Sequence, residues 1–170
     1  DNKSAIKSHK KMTSYLKDDP SLSLLLKSEV LKIEKKFPEL NNVYEDMIKS
    51  KKTETLGYRG LMEQNLRNQD YHHAFLYGEK LFSINPNIEK LYDTLIFIAA
   101  KTKNWNQIVL LSDKAFSHKI ISKNDLNENK SVGFYEIAKI KYDSDIKDSL
   151  KNILKSVDLK KNFPPYVKLH

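Results

Sequence analysis

Apolar residues recur along most of this chain at steps of three and four, the spacing that places them on one side of a helix. One such stripe consists of Leu91, Leu95, Ile98 and Ala99, and the next consists of Trp105, Ile108, Leu111, Ser112 and Ala115. The 170 residues include only 4 Gly and 5 Pro, too few for the many turns of a β fold. The pattern therefore predicts an all-α protein.

The apolar pattern also repeats itself at a fixed interval along the chain. Tyr71 matches Trp105 and Phe82 matches Phe116 one interval later, and Phe37 stands one interval before Tyr71, with no gap in either direction. The interval equals the period of about 34 residues of the tetratricopeptide (TPR) repeat, a pair of antiparallel helices. The sequence thus predicts a right-handed α-solenoid of TPR type.

The repeat register divides the whole chain, 1–170, into segments of a single solenoid. The predicted segments are a leading helix (1–20), three TPR units (21–54, 55–88 and 89–122), a divergent helix pair (123–160) and the start of a truncated further repeat (161–170). We expect the divergent pair as helices 128–142 and 145–158, after an extended connection. Because no unit can bury its stripe alone, neighbouring units must stack. The incomplete pattern at both termini leads us to expect a piece excised from a longer protein.

Several residues mark where the predicted helices begin, end or approach one another. Asp70 and Asn104 are placed to cap the second helix of their units. Pro86 suits the first position of a helix, where no amide donor is required. Gly57, Gly60 and Gly78 lie inside predicted helices, where each costs about 1 kcal/mol relative to Ala. We expect close approach between helices to offset this cost.

The charge and the missing cysteines narrow the possible functions. The net charge is +8, which favours acidic partners, nucleic acid or anionic membranes. The 30 basic residues include only two arginines, however, and this lysine bias is typical of AT-rich genomes, so nucleic acid is disfavoured. With no cysteine, disulfides, thiolate metal sites and cysteine nucleophiles are excluded. No apolar run approaches the roughly 18 residues of a membrane span.

A more specific resemblance lies in the second unit. The chain reads Thr-Glu-Thr-Leu-Gly-Tyr-Arg-Gly-Leu over 53–61 and Arg-Asn-Gln-Asp over 67–70. These segments resemble the signature of HemY-type proteins, close to Thr-Glu-x-Leu-Gly-aliphatic-Arg-Gly-Leu and Arg-x-Gly-Asp, with departures at Tyr58 and Gln69. HemY-type proteins are bacterial inner-membrane TPR proteins associated with haem biosynthesis. The resemblance covers about residues 8–168. It implies a membrane-anchored parent, with this piece on the cytoplasmic face of the inner membrane, and haem-pathway enzymes as partners.

The sequence offers little that suggests catalysis. It contains no phosphate-binding loop, dinucleotide-binding glycine motif, zinc-protease motif or nucleophile elbow. The five histidines are His9, His72, His73, His118 and His170. Adjacent His72 and His73 would point about 100° apart on a helix, so they would not hold one ion together. We therefore predict a non-enzymatic protein with no metal and no resident cofactor.

The candidate site is a surface rather than a catalytic centre. Arg59, Glu63 and Arg67 follow one another at steps of four on the first helix of the second unit, the helix that lines the concave face in TPR proteins. Arginine retained in a lysine-rich chain indicates a need for its bidentate donor group, although a structural ion pair with Glu63 is the alternative. The equivalent groove positions of the next unit are Lys90, Asp93, Phe97 and Lys101.

Three functions remain open on these grounds. The first is a scaffold whose concave face binds a protein or peptide partner, plausibly in haem biosynthesis. The second is a carrier of haem or porphyrin, in which basic groove residues pair with propionates and Phe97 or Tyr135 flanks the ring. The third is a basic surface for anionic lipid or nucleic acid, with Lys7, Lys10, Lys11, Lys49, Lys51 and Lys52 as its candidates.

Overall fold

The computed structural model of the chain describes residues 19–159, together with the isolated positions 4, 7, 8 and 11. These described residues form eight α-helices and no strand, and 79% of them are helical. The helices are α1 (Pro20–Glu34), α2 (Phe37–Met47), α3 (Glu54–Arg67), α4 (Tyr71–Ile84), α5 (Leu91–Lys101), α6 (Trp105–Ser117), α7 (Lys123–Lys141) and α8 (Ile146–Leu159). The all-α prediction is confirmed for this part of the chain. The leading helix (1–20) and the truncated repeat (161–170) lie almost wholly outside it.

The helices form two compact units, Asp1–Asn85 and Pro86–His170. In the first unit α1 packs against α2, α2 against α3 and α3 against α4. In the second unit α5 packs against α6, α6 against α7 and α7 against α8. Because the connections between packed neighbours are only a few residues long, each consecutive pair must run antiparallel. Each unit is therefore a series of helical hairpins that share their helices.

The sequence period appears directly in the positions of the helices. Helices α2, α4 and α6 begin at Phe37, Tyr71 and Trp105, the three aromatic residues that the repeat register aligns. The helices that precede them end at Glu34, Arg67 and Lys101, at nearly the same interval. The sequence period thus reports a recurring helix–turn–helix geometry.

The turn inside each of these hairpins has the same backbone conformation. Lys35, Gln69 and Lys103 all lie in the left-handed region, with φ of 56°, 59° and 54°. The amide of the following residue donates to a carbonyl five residues earlier, as Asp70 does to Asn65 at 2.9 Å. This is the hydrogen bond of a Schellman motif, which normally has glycine at the left-handed position. None of the three positions is glycine, so each turn retains backbone strain.

In the first unit the core lies mainly on α2. Leu40, Val43, Tyr44 and Met47 are all buried, and they pack against apolar residues of α1 and α3. Phe37 begins the same helix, but its ring is 40% exposed at the first turn of α2. Periodicity identified the side of the helix but not how far the core extends along it.

The core of the second unit follows the predicted stripes. Leu91, Leu95, Ile98 and Ala99 are buried, as are Ile108, Leu111, Ser112 and Ala115, while Trp105 is half-buried. A buried polar contact joins three helices here, since the Tyr92 hydroxyl lies 3.1 Å from Ser112 Oγ and accepts from Asn129 Nδ2 at 2.8 Å. The contact satisfies polar groups that burial would otherwise penalise.

The predicted helix starts are partly right. Asp70 caps α4 by accepting from the His73 amide at 3.1 Å, as expected. Asn104 makes no such side-chain bond, because its backbone carbonyl already accepts from the Gln107 amide at 3.0 Å. The side chain of Asn104 therefore does not cap α6, and that prediction is wrong.

Two other starts differ from the prediction. No helix begins at Pro86, because residues 86–90 form turns that end at Lys90, in the left-handed region at φ 60°, and α5 starts only at Leu91. Helix α7 begins at Lys123 rather than at 128. It is started by a capping box in which Ser122 Oγ accepts from the Asp125 amide and the Asp125 carboxylate accepts from the Ser122 amide.

Placing a charge at Ala74 should unfold the first unit. Ala74 is fully buried on α4, so Ala74→Glu forces a carboxylate between packed helices and should cost at least about 3 kcal/mol. Leu76→Glu on the same helix is the control, because Leu76 is 46% exposed and should change stability by less than about 1 kcal/mol. Urea unfolding followed by circular dichroism measures both. Equal midpoints for the two variants would contradict the assigned burial.

Relieving the strained turn should stabilise the chain. Lys35→Gly replaces a residue whose backbone lies in the left-handed region by glycine, which adopts that conformation without strain. The change should raise the free energy of unfolding by about 0.5–1 kcal/mol. Lys27→Gly removes the same side chain from an exposed position within α1 and should lower that energy by about 1 kcal/mol. Denaturant titration of the pair checks this, and destabilisation by both variants would count against the left-handed turn.

Candidate functional site

An open cleft of about 300 Å³ lies in the first unit, lined by residues of α1, α2 and α3. Its rim carries four charged residues, Glu29, Lys32, Arg59 and Glu63. The apolar side chains of Leu25 and Leu56 also line it. An apolar lining with a small number of polar groups is typical of ligand-binding clefts.

The rim charges form two ion pairs, one on each bordering helix. On α3, Arg59 Nε donates to Glu63 Oε1 at 2.9 Å, and on α1, Lys32 Nζ donates to Glu29 Oε1 at 2.7 Å. The side chains of Arg59 and Glu63 are 55% and 44% exposed. Exposed pairs of this kind contribute about 0–1 kcal/mol to stability. They can therefore exchange partners with a ligand at little cost to the fold.

The floor of the cleft is the ring of Tyr44, which is almost fully buried. The ring lies against α3 at Gly60, where an added Cβ would fall 2.3 Å from Tyr44 Cζ. Gly57, one turn earlier, has the Tyr44 carbonyl oxygen 2.8 Å from where its Cβ would be. The expected close approach of helices at these two glycines is confirmed.

Tyr44 and Lys32 influence each other's titration. Burial raises the pKa of the Tyr44 hydroxyl, and the nearby Lys32 ammonium partly opposes this effect. For Lys32, burial lowers the pKa, but hydrogen bonding to Glu29 and the neighbouring Tyr44 and Glu29 charges outweigh it, so the pKa is raised. At neutral pH the cleft thus presents a neutral phenol and a charged ammonium.

The structure places the three predicted groove residues of α3 in two different surroundings. Arg59 and Glu63 line the cleft. Arg67 is exposed at the end of α3, with its guanidinium 5.8 Å from the centre of the Phe37 ring, a cation–π contact. Arg67 is not among the cleft residues, so spacing alone grouped it with Arg59.

The other four predicted groove residues belong to the second unit. Lys90 and Asp93 line a separate cleft of about 230 Å³, together with Pro86 and Ile120. Farther along α5, Lys101 Nζ lies 5.6 Å from the centre of the Phe97 ring, and that ring is 49% exposed. The four residues follow one side of α5 but fall into two groups.

Sequence reasoning missed three cleft residues, Glu29, Lys32 and Tyr44. Glu29 stands one repeat period before Glu63, so the repeat register contained the signal that would have identified it. Lys32 follows Glu29 by three residues on the same helix, which places them side by side. Tyr44 belongs to the apolar repeat, and periodicity does not show which buried rings reach a surface cleft.

The lysines of the alternative basic surface are exposed where the structure describes them. Lys49 is paired with Asp46 at 2.7 Å, whereas Lys51 and Lys52 are exposed and Lys10 lies outside the described residues. His72 and His73 are exposed on α4, and His73 Nδ1 lies 2.7 Å from Asp70 Oδ2.

Two observations concern metals and membranes. Within residues 19–159 and the four isolated positions, no three histidine, aspartate or glutamate side chains are grouped so as to hold a metal ion. None of the helices in the described part of the chain combines the length and apolar character needed to cross a membrane.

A scan against protein-family models found no match to this chain, and a search of curated proteins found no significant similarity. The functional proposal therefore rests on the residues themselves and on their arrangement.

The contact beneath the cleft predicts an unusual sign for one substitution. Gly→Ala inside a helix normally stabilises by about 0.5–1 kcal/mol. At Gly60 the new methyl group meets the Tyr44 ring, so Gly60→Ala should instead destabilise by about 1–3 kcal/mol. In a Tyr44→Leu background the same change should no longer destabilise, and thermal unfolding of this double-mutant cycle measures the coupling. Stabilisation by Gly60→Ala alone would show that the ring moves freely.

Proposed function

We propose that this chain is a non-catalytic interaction module. Its helix pairs are TPR repeats of a right-handed α-solenoid, and the cleft between α1 and α3 is part of the concave face that binds a peptide segment of a partner protein. Helix starts and left-handed turns both recur at the TPR period, and this recurrence supports the TPR assignment.

The observation that carries the proposed function is the composition of the cleft. Apolar side chains line it, while Arg59, Glu63, Lys32 and Glu29 provide donors and acceptors on both sides. A peptide side chain that enters the cleft contacts an apolar surface and finds both positive and negative residues with which to pair. Arg59 is the residue best suited to a carboxylate, because its guanidinium donates two parallel hydrogen bonds.

The resemblance over 53–61 and 67–70 extends the proposal to a cellular setting. We propose a HemY-type parent protein anchored in the bacterial inner membrane, with this module on the cytoplasmic face and haem-pathway enzymes among its partners. Gln69 fits this resemblance, since it lies at φ 59°, where the glycine of the family pattern would be unstrained.

The two arginines provide the test. Peptides are first selected from a random display library on the immobilised chain. The double substitution of Arg59→Lys and Arg67→Lys should weaken their binding about tenfold and leave the melting temperature nearly unchanged, because charge is kept but the bidentate geometry is lost.

The single variants locate the effect. Since Arg59 lines the cleft and Arg67 does not, Arg59→Lys alone should reproduce the loss, and Arg67→Lys should bind as the wild type does. Calorimetric titration measures each affinity. A fall in stability with unchanged binding would assign the arginines to the scaffold. Absorbance titration with haem or coproporphyrin completes the test, because tight binding there that depends on Arg59 would favour a tetrapyrrole carrier instead.

A further inference from the structure

Helix α8 turns its apolar side to solvent and packs its polar side against α7. Its apolar residues Ile146, Leu150 and Leu154 succeed one another at steps of four and form one stripe, yet they are 70%, 56% and 56% exposed. The side that packs against α7 instead carries Ser149, Asn152 and Ser156, all of them buried. We call the exposed stripe of Ile146, Leu150 and Leu154 the α8 apolar band.

The polar side of α8 is held against α7 by specific hydrogen bonds. Ser131 Oγ donates to the Ser156 carbonyl at 2.9 Å, and Ser156 Oγ donates to the Ser131 carbonyl at 2.8 Å. Ser149 Oγ donates to the Ala138 carbonyl at 2.9 Å. Turning α8 to bury its apolar band would break these bonds and move the serine hydroxyls away from their acceptors. The band therefore stays outward as long as the hairpin is intact.

Two lysines border the band, and the exposed Asp158 lies beyond them on the same edge of the helix. Lys147 and Lys151 each follow a band residue by one position, are spaced by four and are exposed. On a helix this places them side by side along one edge of the band, on the edge away from the serines. An occupant of the band therefore contacts an apolar surface about two helical turns long, with the ammonium groups of Lys147 and Lys151 along one side.

We propose that the α8 apolar band is a second docking surface, separate from the cleft, and that it binds an acidic amphipathic helix of another protein. Such a helix would lay its own apolar stripe along Ile146, Leu150 and Leu154 and place carboxylates opposite Lys147 and Lys151. The charges favour this occupant over a second copy of the chain, which carries the same lysines and a net charge of +8.

The test uses the complete chain and two labelled helical peptides of about 18 residues, or five turns. Both peptides carry the same leucine stripe, flanked by glutamate in one and by lysine in the other. Fluorescence anisotropy should show the glutamate peptide binding at least about tenfold more tightly at low salt, and added salt should narrow the difference.

Variants of the band and of its edge identify the surface. The double variant Leu150→Asn with Leu154→Asn should weaken binding of the glutamate peptide at least about tenfold. The matched control, Leu76→Asn with Leu110→Asn, removes similarly exposed leucines elsewhere and should leave that binding unchanged. Lys147→Glu with Lys151→Glu should reverse the preference between the two peptides. Circular dichroism verifies that each variant is folded.

Several results would overturn the proposal. The first is equal affinity for both peptides, or affinity that the band substitutions leave unchanged. The second is binding to phosphatidylglycerol vesicles that depends on Leu150 and Leu154 when neither peptide binds, which would make the band a membrane contact. The third is self-association in light scattering that Leu150→Asn abolishes, which would make it a contact between copies.

Discussion

The first unit depends on how closely α3 approaches α2, and Gly57 and Gly60 permit that approach. Tyr44 is too large to lie between two helices at normal separation unless the facing residue has no side chain, and Gly60 supplies that space. The buried ring packs Leu40, Val43 and Met47 into the same layer. Because the ring is also the floor of the cleft, the contact that holds the hairpin together also fixes the shape of the surface above it.

The fold was largely predictable because the same apolar spacing recurs in each repeat and can be recognised several times along the chain. The stripes at Leu95, Ile98, Ile108 and Leu111 are correct, since burial on one side of a helix follows from spacing alone. The ends of helices were less predictable. At Asn104 the backbone carbonyl, not the side chain, accepts the hydrogen bond from the Gln107 amide. At Pro86 turns separate the proline from the start of α5. Neither outcome follows from the residue type. At α7, Ser122 and Asp125 were a readable capping signal, but apolar spacing does not include it.

The candidate site was predictable only in part. Spacing found Arg59 and Glu63 because both lie on one side of a single helix, where sequence separation determines proximity. Tyr44 and Lys32 reach the cleft from other helices, and their positions depend on how those helices pack. Phe37 shows the same limit, since its ring is covered by the guanidinium of Arg67 rather than by the core. The sequence pattern did not predict which side chains of different helices come into contact.

Cation–π contacts like the one between Arg67 and Phe37 recur in the described part of the chain. Lysine ammonium groups lie 5.0 to 5.9 Å from the ring centres of Tyr44, Phe97, Phe116, Tyr135 and Phe134. The lysine stems cover aromatic surface while their charged ends stay in water, so part of the high lysine content is used to shield rings that the core does not fully bury. Amine chemistry would separate the two: reductive methylation preserves the positive charge and so keeps the attraction to each ring, whereas acetylation removes the charge and loosens the cover over the aromatic surface.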